Sequence, residues 1–146
     1  MKLTYFIADV YGVGKAERDR LIKQYAECFE ITSELGQPIS SFSHGMKQKL
    51  AVICALIHKP RLMLLDEPFV GLDPKAAHTL KQLMREVCDA GGAIFFSTHV
   101  LEVAEKLCDN ITIIKNGKVV VTGSTESVRG DSSLEDVFLE LEGENV

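Results

Sequence analysis

Apolar residues in the first 30 positions recur every three or four residues, which is the spacing of amphipathic helices with one buried face. Two such helices are predicted, over residues 3–11 and 17–29, joined by a glycine-containing turn. Their inner faces are expected to carry Leu3, Phe6, Ile7 and Val10 in the first helix and Leu21, Ile22, Tyr25 and Phe29 in the second. A third helix is predicted from Ser43 toward Pro60, which cannot continue it. Its apolar stripe comprises Leu50, Val52, Ile53, Ala55, Leu56 and Ile57.

The periodicity changes at "LMLLD", residues 62–66, which is a continuous apolar run typical of a strand buried on both faces. Asp73 and Pro74 provide an N-cap and a first-turn proline for a following helix, which Gly91 and Gly92 end. A second strand, "AIFFS", precedes another helix over about residues 100–108. The order strand, helix, strand, helix predicts a parallel sheet in an α/β fold.

The C-terminal third contains a hairpin signal and a final helix. Asn116 and Gly117 lie between two β-rich runs in "ITIIKNGKVVV", and this dipeptide strongly favours a two-residue hairpin turn. The stretch "SLEDVFLELE" predicts a short helix capped near Ser132 or Ser133.

Composition narrows the class of protein. The 146 residues are 46% hydrophobic and 25% charged, as expected for a compact domain with a core. The net charge of -5 and the absence of a dense basic run argue against nucleic acid as a partner. No stretch reaches the roughly 18 apolar residues of a membrane-spanning helix, so any link to a membrane is expected to go through a partner. The four cysteines form no C-x-x-C pair and are expected to be buried free thiols: Cys28, Cys54, Cys88 and Cys108.

The segment "YGVGK" looks like the end of a phosphate-binding loop. The G-x-x-x-x-G-K-[ST] pattern requires a glycine five positions before Gly14 and a hydroxyl residue after Lys15. The sequence has Asp9 and Ala16 at those positions, so this segment is interpreted as a turn between two helices.

Several polar residues follow the predicted strands or begin the predicted helices. Asp66 and Glu67 end the first strand, where open α/β sheets bind their ligands, and carboxylates in such a place hold Mg²⁺ or orient a water in phosphoryl transfer. Ser43 and Gly45 start a helix, where free amides attract an anion. Each feature alone is also compatible with an ordinary turn or a helix cap.

Taken in order, four segments resemble the motifs of the ATPase domain of ATP-binding cassette (ABC) transporters. "SFSHGMKQKL" resembles the signature motif, "LMLLDEP" the Walker B strand, "GLDP" the D-loop and "STH" the switch histidine. The chain is therefore similar to the C-terminal portion of an exporter or multidrug-type ABC ATPase. The resemblance implies a P-loop NTPase-like α/β fold with a partial parallel sheet and a C-terminal β-hairpin. Residues 1–58 would belong to the helical subdomain with the signature motif, and residues 59–146 to the ATPase core.

The resemblance also implies roles for individual residues. Asp66 would coordinate Mg²⁺ through water, and Glu67 and His99 would be catalytic, Glu67 by polarising the attacking water and His99 by contacting the γ-phosphate. Four residues would bind ATP held by a second ABC ATPase domain across a dimer: Ser43, His44, Gly45 and Asp73. His44 departs from the family's usual signature, which has a small residue at that position.

The function implied is that of the ATP-binding subunit of an ABC transporter, on the cytoplasmic face of the membrane beside a permease. ATP and Mg²⁺ are expected only together with an N-terminal half that carries the phosphate loop, because the sequence contains no such loop. The isolated chain is therefore expected to be inactive, and one edge of its "AIFFS" strand is expected to be bare. Three alternatives stay open: a non-transport ABC ATPase, a non-catalytic module that completes a partner's site through Ser43 and Gly45, and an unrelated βαβ binding module.

Overall fold

A computed structural model describes residues 2–143, apart from the side chain of Glu142. The described chain forms two compact units that divide between Ser97 and Thr98. The first unit contains α1 (Lys2–Val10), α2 (Lys15–Cys28), a 3-10 turn (Ile39–Ser41), α3 (His44–Leu56), β1 (Leu62–Asp66), α4 (Pro74–Asp89) and β2 (Ala93–Ser97). The second contains α5 (Leu101–Leu107), β3 (Asn110–Lys115), β4 (Lys118–Ser124), α6 (Thr125–Arg129) and α7 (Leu134–Gly143). The predicted α/β order is confirmed, whereas the predicted functional boundary after residue 58 stays a prediction.

The helical part of the first unit is formed by α1, α2 and α3, which pack against one another. The predicted inner faces of α2 and α3 are largely buried, with Leu21 and Ile53 among the core residues. The first helix is confirmed, but its predicted inner face is wrong for three of the four residues, Ile7 alone being half-buried. Leu3, Phe6 and Val10 are 38%, 62% and 62% exposed, and α1 buries Thr4 and Ala8 instead. The predicted apolar stripe of α1 therefore lies largely on its exposed side.

The third helix starts where the sequence predicts. Ser43 is its N-cap, and the Ser43 Oγ accepts a hydrogen bond of 3.2 Å from the Met46 amide. The helix ends at Leu56, before Pro60, and Lys59 adopts a left-handed conformation with φ of 50°.

Strands β1 and β2 pair in parallel, from Leu62↔Ala93 to Asp66↔Ser97, as predicted. The expectation that β1 is buried on both faces is wrong. Leu62 and Leu64 are 58% and 71% exposed, and Phe95 on the neighbouring strand is 64% exposed. Met63 points to the opposite, buried face, and α4 packs against β2. Within the described residues, this two-stranded sheet is therefore covered on one face, whereas a parallel sheet is normally covered on both.

The second unit is built on the predicted hairpin. Asn116 and Gly117 have φ of 52° and 73°, the left-handed conformation that a type I′ turn requires at both central positions. Ser133 caps α7 reciprocally: its Oγ accepts from the Asp136 amide, and the Asp136 carboxylate accepts from the Ser133 amide, both at 3.1 Å. The predicted hairpin and cap are thus confirmed. The sequence did not predict α6, whose cap is Ser124.

The four cysteines are free thiols. The expectation that they are buried is wrong: Cys28 and Cys88 are exposed, and Cys54 and Cys108 are half-buried. Across residues 2–143, the structure contains no helix that is both long and apolar enough to cross a membrane.

Candidate functional site

The carboxyl ends of β1 and β2 bring Asp66 beside Ser97. These two residues are register partners in the parallel ladder, and the Ser97 Oγ donates a hydrogen bond to the Asp66 carboxylate. Ser97 was not among the predicted site residues. The sequence could have indicated it, because Ser97 ends the second predicted strand and Asp66 ends the first, and the ends of two parallel strands lie side by side.

Glu67 follows Asp66 in a left-handed backbone conformation, with φ of 44°. Its amide donates hydrogen bonds of 3.2 Å to both the carbonyl oxygen and the Oγ of Ser97. A non-glycine residue at positive φ is uncommon and costs on the order of 1–3 kcal/mol, and such residues concentrate at functional sites. The conformation turns the chain sharply at the end of the strand, and the next residue, Pro68, is fully buried.

The N-terminus of α3 carries three predicted residues, Ser43, His44 and Gly45. The first amides of a helix lack intrahelical partners and carry a partial positive charge, which makes this end suited to an anion. The Ser43 hydroxyl already accepts a hydrogen bond from the Met46 amide. The amides at the start of α3 are the groups that an anion would meet here.

The segment that follows Glu67, which we call the β1–α4 loop (residues 67–73), lies against this helix end. A Cβ atom on Gly45 would lie 2.5 Å from the carbonyl oxygen of Gly71. Gly71 has φ of 79°, and a Cβ there would lie 2.5 Å from the Cδ2 atom of His44. The large ring of His44 is therefore accommodated in the signature-like segment because Gly71 has no side chain.

Asp73 ends the β1–α4 loop and caps α4, accepting a hydrogen bond of 2.8 Å from the Ala76 amide, as predicted. Its other carboxylate oxygen lies 3.0 Å from the Lys49 Nζ on α3. The Ala76 amide, and after it the Lys49 ammonium, lower the pKa of Asp73 below its usual value. Asp73 is thus held as an anion between two helices.

Two residues of α3 that sequence reasoning missed also contact the β1–α4 loop. The Gln48 Nε2 donates a hydrogen bond of 3.1 Å to the carbonyl oxygen of Pro68, and Lys49 pairs with Asp73 as described. Both residues follow the helix cap within two turns, but nothing in the sequence pattern indicated their partners.

His99 belongs to the second unit and is exposed. It lies just before α5, beside Thr98, whose Oγ1 accepts a hydrogen bond of 3.1 Å from the Val100 amide. The role predicted for His99 toward a phosphate stays a prediction.

The groups at these positions suit the ligands that the sequence implied. Carboxylate and hydroxyl oxygens, as on Asp66 and Ser97, are the hard ligands and outer partners that Mg²⁺ prefers. The start of α3 supplies amides for a phosphate. The described residues therefore fit part of a magnesium–nucleotide site.

Comparison with known proteins gives concordant matches. Residues 7–105 match the family model described as "AAA domain, putative AbiEii toxin, Type IV TA system". The chain is 36% identical to "ABC-type transporter ATP-binding protein EcsA" of Bacillus subtilis, over 94% of this chain and 58% of that protein. It is 34% identical to "Nod factor export ATP-binding protein I" of Sinorhizobium fredii, over 77% of this chain and 33% of that protein.

A solved structure agrees with these matches. "Structure of ATP binding subunit of ABC transporter" superposes with a TM-score of 0.91 and 36% identity, over 97% of this chain and 61% of the other. The chain thus spans less than two thirds of the length of each of these proteins.

Proposed function

The chain belongs to the family of the AAA domain model, and its relatives identify it as an ABC-type ATPase domain. We propose that it is part of an ATP-binding subunit that couples ATP hydrolysis to transport by a membrane permease. The observation that carries the proposal is the contact between the start of α3 and the β1–α4 loop, because it places the signature-like residues beside the segment that links Glu67 to Asp73. We place export first, since one relative is named for the export of Nod factor.

In the proposed site, Asp66 binds Mg²⁺ through water, with its carboxylate oriented by the Ser97 hydroxyl. A Mg²⁺ ion held by Asp66 would supply positive charge to offset the charge on the phosphates. Glu67 polarises the attacking water, and the hydrogen bonds from its amide to Ser97 fix the backbone from which its side chain extends. His99 contacts the γ-phosphate.

The start of α3 serves a second nucleotide in this proposal. The start of α3, with Ser43, His44 and Gly45, contacts the γ-phosphate of ATP bound by another ATPase domain, and Asp73 lies at the same interface. The partners are therefore a second ABC ATPase domain and a permease, with the chain on the cytoplasmic side of the membrane.

The 146 residues contain no G-x-x-x-x-G-K-[ST] loop, whose amides and lysine hold the outer phosphates. We therefore propose that this chain by itself neither binds MgATP tightly nor hydrolyses it. Micromolar MgATP affinity of the chain alone would overturn this part of the proposal.

The catalytic roles are tested by a fusion that joins this chain to the portion of EcsA that this chain does not match. We expect the fusion to hydrolyse ATP and Glu67→Gln to abolish turnover. Glu86→Gln, at an exposed carboxylate on α4, is the matched control and should retain turnover. A stably folded fusion that binds MgATP, and whose hydrolysis is unaffected by Glu67→Gln, would contradict the assignment.

A non-catalytic role is a second candidate, because the start of α3 and the β1–α4 loop are formed within this chain alone. In that case the chain would complete a full-length partner's site, and its addition would change the partner's ATPase rate. Ser43→Arg would remove the effect and Glu67→Gln would not. Ser40→Arg, at an exposed serine just before α3, controls for the added charge.

A further inference from the structure

Two adjacent side chains of α3 contact opposite ends of the β1–α4 loop. Gln48 donates to the carbonyl oxygen of Pro68, the residue immediately after Glu67, and Lys49 pairs with Asp73 at the far end. The Lys49 side chain is only 14% exposed, although it is a lysine, so its stem packs against the protein and restricts its ammonium group. Neither residue was assigned a role in the proposed function.

The middle of the loop is also held against α3. The Gly71 carbonyl oxygen lies where a side chain on Gly45 would begin, and the His44 ring lies where a side chain on Gly71 would begin. The loop therefore contacts α3 at its start, middle and end. Such repeated contacts leave it little freedom to move independently of the helix.

The opposite side of the turn is fixed to the sheet. The Glu67 amide donates two hydrogen bonds to Ser97, the last residue of β2. At Glu67 the loop leaves the sheet, and from Pro68 onward its contacts are with α3. These contacts therefore set the path of the chain after Glu67.

We propose that Gln48 and Lys49 are positioning residues that hold the β1–α4 loop on α3, so that the amides at the start of α3 and the Glu67 carboxylate keep one fixed arrangement. This inference rests on the proposed function for its consequence in catalysis. The holding contacts themselves do not depend on it. Exposed ion pairs usually contribute little, and what distinguishes Lys49 is the burial of its stem together with the parallel contact of Gln48.

The test uses this chain by itself and measures two quantities: the rate of amide hydrogen exchange in the loop, and the pKa of the Asp73 carboxylate by NMR titration. Two amides report on the loop. The Leu72 amide donates a hydrogen bond of 3.3 Å to the Phe69 carbonyl oxygen, and the Val70 amide donates one of 3.2 Å to the Glu67 carbonyl oxygen. We expect Lys49→Met to speed exchange at Leu72 on the order of fivefold and to raise the pKa of Asp73 toward its usual value. Gln48→Leu should speed exchange at Val70 similarly.

Three further variants isolate the cause. Lys49→Arg keeps the charge and should retain wild-type exchange and titration. Lys47→Met removes a neighbouring exposed lysine of α3 and should change neither. Asp73→Asn keeps a good helix cap while removing the charge, so it should speed exchange at Leu72 as Lys49→Met does.

Wild-type exchange at Leu72 in both Lys49→Met and Asp73→Asn would overturn the inference, as would equal effects of Lys47→Met and Lys49→Met. In the fusion with the EcsA portion, Lys49→Met should lower kcat with little change in KM. A fusion without ATPase activity, combined with the expected exchange results, would count against the proposed function while leaving the holding contacts established.

Discussion

The Ser97 hydroxyl donates a hydrogen bond to the Asp66 carboxylate across the last register pair of β1 and β2. The same oxygen accepts a hydrogen bond of 3.2 Å from the Glu67 amide. One serine therefore orients both a carboxylate suited to a metal and the backbone of the next carboxylate. The ladder between two parallel strands sets this arrangement, so the geometry of the site is a direct result of sheet register.

Ser97→Ala should destabilise the first unit by about 1 kcal/mol, because the Asp66 carboxylate loses a hydrogen bond while the Glu67 amide keeps the Ser97 carbonyl oxygen. Urea unfolding measures the difference. Ser40→Ala, at an exposed serine of the 3-10 turn, should have a much smaller effect. Equal stability of Ser97→Ala and wild type would show that the hydroxyl is not an important partner of Asp66.

Gly45→Ala should destabilise the chain by about 1–3 kcal/mol, since the new Cβ would lie 2.5 Å from the Gly71 carbonyl oxygen and must displace backbone. Gly36→Ala is the matched control, because a Cβ at Gly36 meets nothing within 4 Å. It should be neutral or slightly stabilising. Thermal melts of the two variants compare them, and a Gly45→Ala protein as stable as Gly36→Ala would refute the close approach.

Ionisation of Glu17 should make the free energy of unfolding fall as the pH is lowered into the acid range. Hydrogen bonds from Arg20, and then from Lys59, lower its pKa from 4.5 to about 2. A lowered carboxylate pKa contributes stability that is fully present above pH 4.5 and is lost as the pH falls toward 2. The stability difference between wild type and Glu17→Gln should therefore shrink over that window.

Unfolding in urea at a series of pH values, at low salt, measures this difference. Arg20→Met should reduce it more than Lys59→Met, because Arg20 is the larger cause of the lowered pKa. A difference that is independent of pH from about pH 6 to about pH 2.5 would contradict the prediction.

The exposed face of the β1–β2 sheet should drive association between copies of this chain. Leu64 and Phe95 are register partners that are 71% and 64% exposed, and a contiguous apolar patch of this kind favours burial against another molecule. Replacing both with lysine should convert associated species to monomer in sedimentation velocity without loss of helical circular dichroism. Leu139→Lys, at an exposed leucine of α7, should not. Wild-type chain that stays monomeric as its concentration rises would rule this out.

The sequence predicted elements well where a strong local rule determines them, although it missed α6 and its cap at Ser124. Asn116 and Gly117 specify a turn that needs positive φ at two positions, and Asp73 with Pro74 specifies a helix start. These features depend on residues within one turn of each other, so tertiary context has little influence on them. The same holds for the cap at Ser43.

Predictions failed where they required knowing what covers a surface. Periodicity correctly placed Phe6 and Val10 on one face of α1, but α1 packs through Thr4 and Ala8. A continuous apolar run correctly predicted β1, but Leu64 lies on a face that no described residue covers well. Hydrophobic patterning identifies faces, and the neighbouring elements decide which face is buried.

The residues of the candidate site also fall into two groups, those that the sequence predicted and those that only the structure revealed. Motif order located Asp66, Glu67 and the start of α3, whereas Ser97, Gln48 and Lys49 came only from the structure. Their partners are 20 or more residues away along the chain, as for Gln48 and Pro68, so no local pattern predicts them.

The left-handed backbone conformation of Glu67 lowers the stability of the fold at the same residue whose carboxylate is proposed to act in catalysis. Glycine has no Cβ and adopts φ of 44° at no steric cost, so Glu67→Gly should make the chain more stable while removing the carboxylate proposed to activate water. An unconstrained selection for stability alone would therefore tend to remove the glutamate from this position.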